Sequence, residues 1–368
     1  MAELEIQLIA IVTAVACALP GAFLVLRRVS MLSDAISHAI LPGIVVAFFL
    51  TGTLNSPLLI VGAAATGVLT AGMIESLSRT GRVREDAAIG LVFPVLFSIG
   101  VIMIARYAEG VHLDVDAVLL GELAFAPFDR LLVGGADVGP KALWVMGSIL
   151  VVNVAFIGSF YKELKLSTFD PALAAALGFS PALLHYLLMG IVSITAVGAF
   201  DAVGSILVVA LIVGPPATAY LLTDRLSILL LLSAGIGAAA GITGYWTAFL
   251  LDASIAGSIA TVVGAFFFAG LLFAPDQGLV AAARRSKQQR RRFAQHMLLV
   301  HLLHHEDAPD AALECRPDHL EEHLRWNPDT AQLAIRSAVR ERLIEAQGGL
   351  LHLTPAGRAV AQETMVTT

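Results

Sequence analysis

Charge is scarce in this chain. Asp, Glu, Lys and Arg make up 14 % of its 368 residues, while 57 % are hydrophobic. That balance excludes a soluble protein built on one core. The phosphate-cradling pattern G-x-x-x-x-G-K-[ST] is missing throughout, so the sequence offers no ATP-hydrolysing loop. The front lacks the basic residues of a secretory leader; its only early charges are Glu3 and Glu5. The first apolar run therefore reads as a permanent helix. Cysteine is nearly absent. Cys17 lies in that first run and Cys315 in the tail, and no disulfide is expected between such distant environments. Nor is there a strong field of one sign. The net charge is −6, the acidic excess lies in the first three quarters, and the tail is nearly balanced, which does not favour nucleic acid as a partner. No internal repeat is evident.

Long apolar runs are what the sequence has in abundance. Nine stretches near twenty residues recur, at about 6–26, 34–52, 57–77, 87–106, 142–160, 181–199, 202–222, 227–250 and 255–273. Each is long enough to cross roughly 30 Å of hydrocarbon as a helix. Turn chemistry separates them at Asn55-Ser56-Pro57, Ser180-Pro181 and Thr223-Asp224-Arg225. The expected fold is an all-α polytopic membrane protein of eight or nine spans, residues 1–278, with a small α+β domain behind it. The stretch Val118 to Phe128 in the long segment 107–141 is the one that would re-enter the membrane or lie on its surface.

Basic residues follow the odd-numbered spans: Arg27 and Arg28, then Arg79, Arg82 and Arg84, Lys162 and Lys165, Arg225, and Arg284 to Arg292. This asymmetry predicts an N-terminus outside and a C-terminus in the cytosol of a prokaryotic plasma membrane. Small-residue runs such as GAAATG (Gly62 to Gly67) and GIGAAAG (Gly235 to Gly241) suit close approach of helix backbones in lipid.

Two ionisable residues stand inside the second span. Asp34 and His38 are four apart, a spacing that stacks both on one helical face. A carboxylate at membrane depth costs about 2.5–3.5 kcal/mol, which a chain tolerates where the group meets water, a partner charge or an ion. One oxygen and one nitrogen suit Mn²⁺, Fe²⁺ or Zn²⁺ better than a soft ion. Two ligands are too few for a metal, and a second copy of the chain would supply four. Pro42, four residues after His38, deprives the His38 carbonyl of its helical partner and predicts a kink. The bland alternative is that Ser33 or Asp34 caps the span and His38 is a packed, hydrogen-bonded residue. Pro94 in the fourth span and Pro215-Pro216 in the seventh predict further interruptions, of the kind that flank transport sites or serve as static kinks. Asp201, Asp252, Glu109, His112, Asp114, Asp116 and Glu122 are expected at outer ends or loops, and Glu75 and His185 at the interface.

The run RRVSMLSDAISHAILPG, Arg27 to Gly43, resembles the signature of permease subunits of ATP-binding-cassette importers for manganese, zinc and iron. The likeness continues in EDAAIGLVFPVLFSIG (Glu85 to Gly100), DPALAAALGFSP (Asp170 to Pro181) and AVGSILVVALIVGPPATAYLLTDRL (Ala202 to Leu226). It covers nearly all of 1–278. ELKLSTFDPALAAALGFSP, Glu163 to Pro181, looks most like the manganese and iron branch. The resemblance implies a permease dimer around a central path, an extracytoplasmic protein that delivers the metal, and cytosolic ATPase subunits that use ATP. It implies that Asp34 and His38 coordinate the passing Mn²⁺, Fe²⁺ or Zn²⁺, and that this chain is not an enzyme. It also places the ATPase-coupling helix at Asp170, Pro171, Ala172, Leu173, Ala174, Ala175, Ala176, Leu177 and Gly178. The residues agree with a short helix there, with Asp170 as N-cap, Pro171 in the first turn and Gly178 as the stop.

Beyond Gly278 the composition changes. ARRSKQQRRRFAQ, Ala283 to Gln295, reads as a basic juxtamembrane linker (279–292) suited to anionic lipid headgroups. Residues 293–368 read as a small cytosolic domain, with helices at 293–305, 317–326 and 328–344. Strands at Leu343 to Gln347 and Leu350 to Leu353 join at Gly348-Gly349, and a last helix starts at Thr354-Pro355. That order, and LTPAGRAVA (Leu353 to Ala361), resembles a winged helix-turn-helix domain. Arg336, Arg340 and Arg342 on the candidate recognition helix are offset by Asp329, Glu341 and Glu345, so a protein-interaction or regulatory role is preferred to DNA binding. A membrane-anchored, metal-responsive regulator is the alternative from a different class. Histidines at helical spacing, His301 with His305 and His319 with His323, raise a cytosolic metal site.

Overall fold

The computed structural model describes residues 2–53, 56–107, 123–133, 136–309, 311–320, 324 and 326–367. They divide into two compact units, 1–277 and 278–368.

The first unit is helical. Its elements are α1 (Ala2–Leu26), α2 (Met31–Ala39), α3 (Leu41–Thr51), α4 (Pro57–Arg79) and α5 (Glu85–Tyr107). A 3-10 turn (Ala126–Phe128) and a short hairpin, β1 (Arg130–Val133) and β2 (Ala136–Pro140), come next. Then follow α6 (Lys141–Ser159), α7 (Tyr161–Phe169), α8 (Pro171–Ala176), α9 (Pro181–Val203), α10 (Ser205–Leu222), α11 (Leu226–Leu251) and α12 (Ile255–Phe273). Among the described residues, nine stretches are helical, long and apolar enough to cross a membrane, the second being α2 and α3 taken together. The spans read from the sequence correspond one to one. Their ends differ by a few residues, most visibly at Gly204, where the chain turns between α9 and α10 rather than near residue 200.

The most enclosed span is α1, with 67 % of its apolar window buried. It packs against α11, α10, α6 and α9. A buried amide ties this centre together: Asn153 Nδ2 on α6 donates to the Ala16 carbonyl (2.9 Å) and to Thr195 Oγ1 on α9 (2.9 Å). In an apolar medium such satisfied polar contacts hold helices that gain nothing from hiding apolar surface. The second cluster, α2 to α5, joins through α9 against α4 and α2.

Close backbone crossings replace large side chains at several of these contacts. A Cβ on Gly43 (α3) would overlap the Gly62 carbonyl and the Thr66 hydroxyl of α4, and one on Gly62 would meet the Gly43 carbonyl. Of the two small-residue runs, Gly62, Gly67, Gly237 and Gly241 do touch neighbouring helices, whereas Gly235 faces open space. Gly43→Val is expected to lower stability by about 2–3 kcal/mol, the cost of overpacking a rigid contact. Thermal melting of the full chain in detergent checks this, and an unshifted melt would show that the crossing is looser than it looks.

Two expectations are corrected. Pro42 does not kink a continuous helix. Instead α2 ends at Ala39, and Pro42 occupies the first turn of a new helix, α3, where its missing N–H costs nothing. Pro94, Pro215 and Pro216 do not break their spans, since α5 and α10 run through them. A proline inside a helix removes one ladder bond, and packed neighbours carry the segment across. Of the stretch Val118 to Phe128, residues 118–122 lie outside the described residues; the described part of 107–141 is a 3-10 turn and a hairpin. Arg130 anchors that hairpin, at 2.6 Å from Asp137 and 3.1 Å from Glu5 of α1. Its hydrogen bond to Asp137 raises the Arg130 guanidinium and holds the Asp137 carboxyl below the usual range.

The second unit contains α13 (Leu279–His305), α14 (Ala311–Glu314), α15 (Pro328–Arg340), the antiparallel pair β3 (Ile344–Gln347) and β4 (Leu350–Leu353), and α16 (Pro355–Thr367). The basic stretch 279–292, expected as a juxtamembrane linker, is helical. It is the exposed first half of a 27-residue helix whose second half enters a core with Leu320, Ala338, Ile344 and Leu351. Thr354 caps α16, accepting from Gly357 N at 3.1 Å and donating to the Arg342 carbonyl at 2.8 Å. Of the expected helix 317–326, residues 321–323 and 325 lie outside the described residues. Cys17 and Cys315 are both buried, one in each unit, and are not joined by a disulfide.

Candidate functional site

The segment carrying Asp34 and His38 is set by its two ends. At the first, α1 closes with Val29 N donating to the Leu24 carbonyl and Arg28 N to the Val25 carbonyl, both 3.0 Å. This is a Schellman stop. It puts Arg28, not glycine, at φ 62°, a left-handed conformation that bulky side chains rarely hold. At the other end Ile40 separates α2 from α3.

Within α2 the capping alternative fails. Neither Ser33 nor Asp34 is the N-cap; Ser30 holds that position, and Ser33 Oγ donates back to the Ser30 carbonyl at 2.7 Å. Asp34 lies inside the first turn with its Oδ1 3.5 Å from His38 Nε2. The pair is therefore side by side, as its spacing requires. The His38 ring packs against Phe93 and Phe97 of α5, with centroids 6.0 and 6.4 Å away. Those two aromatics, one turn apart, flank Pro94 and were not legible as site neighbours. Asp34 keeps 50 % of its side chain exposed and His38 28 %. Within one protomer, a spanning segment thus presents an open carboxylate backed by an imidazole.

The residues expected to form a coupling helix do form a short capped helix. Asp170 accepts from Leu173 N at 2.9 Å, and Pro171 opens α8. Gly178 at φ 90° closes it, with Phe179 N bonded to the Ala174 carbonyl and Gly178 N to the Ala175 carbonyl, both 3.0 Å. A side chain at that φ would strain the stop. Ala174 is buried, while Leu173, Leu177 and Phe179 are exposed.

Sequence reasoning treated Arg27 only as a topological charge, but it is a structural tie. Its Nε donates to Thr168 Oγ1 (3.1 Å) and its Nη2 to Ser167 Oγ (3.0 Å) on α7, and Nη1 lies 3.4 Å from His185 Nδ1 on α9. Burial lowers the guanidinium from its ordinary value but leaves it charged. Glu75 of α4 binds Arg79 at 2.5 Å. No signal within RRVSM distinguishes half-buried Arg27 from its exposed neighbour Arg28. The remaining candidates scatter. Asp201 is exposed near the end of α9, Asp252 is the left-handed C-cap of α11, and Glu109, His112, Asp114, Asp116 and Glu122 lie outside the described residues.

Comparison with known proteins places this geometry. Residues 4–274 match the ABC 3 transport family. The chain is 46 % identical over 359 residues to the zinc transport system membrane protein TroD of Treponema pallidum, covering 98 % of both chains. It is 48 % identical over 270 residues to the manganese transport system membrane protein MntD of Bacillus subtilis, covering 73 % of this chain and 91 % of MntD. Among solved structures, PsaBC of Streptococcus pneumoniae, in complex with Fab, is similar with a TM-score of 0.62 and 29 % identity over 74 % of this chain and 92 % of that one. The chain belongs to the ABC 3 transport family: it is a multi-pass membrane permease of a metal importer, and not an enzyme.

Proposed function

We propose that Asp34 and His38 form half of the metal-binding constriction of this importer, and that a second permease protomer supplies the other half. One observation carries the reading. A carboxylate inside a membrane-spanning segment is half exposed on the single protomer, and hydrocarbon does not accept it there. A path between protomers does, because it replaces lipid with water, a cation and a second acid–imidazole pair. Four ligands, two oxygen and two nitrogen, then meet a divalent ion of the first transition row.

Manganese, with iron beside it, is the cargo first proposed. The likeness of Glu163 to Pro181 to the manganese and iron branch supports it, as does the MntD name. Zinc is the second reading, supported by the TroD name across nearly the whole chain. The ligand set serves all three ions. The importer works with cytosolic ATPase subunits that hydrolyse ATP, an extracytoplasmic metal-binding protein, and a second permease protomer, identical or paralogous. We place it in the plasma membrane with the N-terminus outside. This sets α8 and the Arg27 tie on the cytosolic side, where α8 meets the ATPase. The exposed arginines of α13 then face anionic lipid headgroups.

Uptake of Mn, Fe and Zn into cells expressing the complete transporter, compared side by side in a strain lacking its own importers, tests the cargo. Manganese or iron uptake at least about tenfold above zinc, a gap of roughly 1.4 kcal/mol, is expected. The opposite ranking would transfer the assignment to zinc.

A further inference from the structure

The second unit holds a cluster of ligating side chains far in sequence from the spanning pair. His301 and His305 occupy successive turns of α13, with ring centroids 4.7 Å apart. Glu314, closing α14, reaches toward both. One ligand atom from each of the three lies within 4.8 Å of the other two. A further imidazole approaches the same carboxylate, with His319 Nε2 3.2 Å from Glu314 Oε1. His301 Nε2 stands 3.8 Å from Glu314 Oε2 and 3.1 Å from the Glu314 carbonyl oxygen. The side chains of His301 and Glu314 are only 5 % and 11 % exposed.

We propose that this cluster is a binding site for a first-row divalent transition ion, with His301, His305 and Glu314 as ligands and His319 as the fourth. Two histidines at i and i+4 on one helical face are the spacing by which helices present paired imidazoles to zinc. Three nitrogens and one carboxylate oxygen make a borderline donor set that suits Zn²⁺ and Fe²⁺ and excludes the hard alkaline-earth ions. Ligands about 2.0–2.1 Å from a tetrahedral ion lie roughly 3.4 Å from one another, so closing the cluster needs side-chain shifts on the order of 1 Å. With His301 Nε2 bonded to the Glu314 carbonyl, Nδ1 is the nitrogen left to ligate, and such an outer contact on the other nitrogen orients a ligating ring. Access is open, because His305 also lines a surface groove of about 420 Å³ with His304, Ala308 and Pro309. Binding there would clamp α13 to α14. If the transport reading holds, the site samples the metal the permease has imported. The site itself does not depend on that reading.

The test uses tag-free, full-length protein in detergent carrying Asp34→Ala and His38→Ala, so that the spanning pair contributes nothing. Equilibrium dialysis against Zn²⁺, and visible absorption on titration with Co²⁺, measure occupancy and geometry. One equivalent per chain is expected, with intense tetrahedral cobalt bands. Adding His305→Asn or Glu314→Gln should weaken binding at least about tenfold while thermal melting in the absence of metal is retained. The His305 side chain borders solvent, so its replacement leaves the core intact. Absence of Zn²⁺ retention on the order of 100 μM, or retention indifferent to both substitutions, would overturn the proposal whatever the transport assays give.

Discussion

Cells relying on this importer are expected to lose metal uptake when Asp34 or His38 is replaced by alanine, with residual transport down by about two orders of magnitude. The expectation follows from chemistry rather than from folding. As a structural pair, an i,i+4 carboxylate and imidazole contribute only about 0.3–0.5 kcal/mol, and Asp34 is half exposed. Removing either side chain therefore leaves insertion and assembly intact. On the proposed reading the same groups are also ligands, half of a four-atom shell. In a symmetric dimer each substitution deletes two donors, and losing even an outer contact of a metal site costs 10–100-fold in affinity. Uptake of ⁵⁴Mn²⁺ and of zinc, normalised to permease recovered in the membrane, makes the comparison. Normal uptake by both variants would remove the pair from the path.

The second large effect is expected at α8. Leu173→Glu and Leu177→Glu should uncouple the importer, reducing uptake more than tenfold while the permease melts as before. Both side chains are exposed, Leu173 on a helix only six residues long and Leu177 as its C-cap, and Phe179 just beyond is exposed too. That helix is held at each end, by the Asp170 cap and by the left-handed Gly178, and its connection to the spans runs through the Arg27 tie to α7. A stiff, anchored segment transmits displacement, whereas a loose loop absorbs it. An apolar anchor at the centre of an interface is worth 2 kcal/mol or more, about thirtyfold in association. Co-purification of the ATPase subunits and stimulation of ATP hydrolysis by the permease read this directly. A Leu173→Glu, Leu177→Glu permease that still recruits and stimulates the ATPase would show that another cytosolic surface makes the contact.

How much of this was legible follows from the range of the forces involved. Span lengths were readable because the bilayer imposes them on composition, and Asp34 with His38 because four residues are one turn. The cap and stop of α8 were readable for the same reason: Asp170 and Gly178 act on backbone a few residues away. Proline was the weak indicator. Pro42, Pro94 and Pro215 carry the same local chemistry, yet only Pro42 sits at a helix start. What decides is the packing of neighbouring helices, which no local pattern records. The Arg27 tie spans about 140 residues of sequence, and Phe93 and Phe97 meet His38 across two helices. The helical state of 279–292 was missed because its basic residues were read for topology alone, although Ala, Arg, Lys and Gln are strong helix formers.

The break at Ile40 has a mechanical consequence. Asp34 and His38 ride on nine residues of helix, jointed at Arg28 on one side and at Ile40 on the other. If the pair lines the path as proposed, tilting such a short lever leaves their mutual separation unchanged and alters only the span to the opposing protomer's lever. Grip and release would then be a single rigid rotation, with no bond within either pair stretched, and a few degrees at the joints would suffice to let the cargo go.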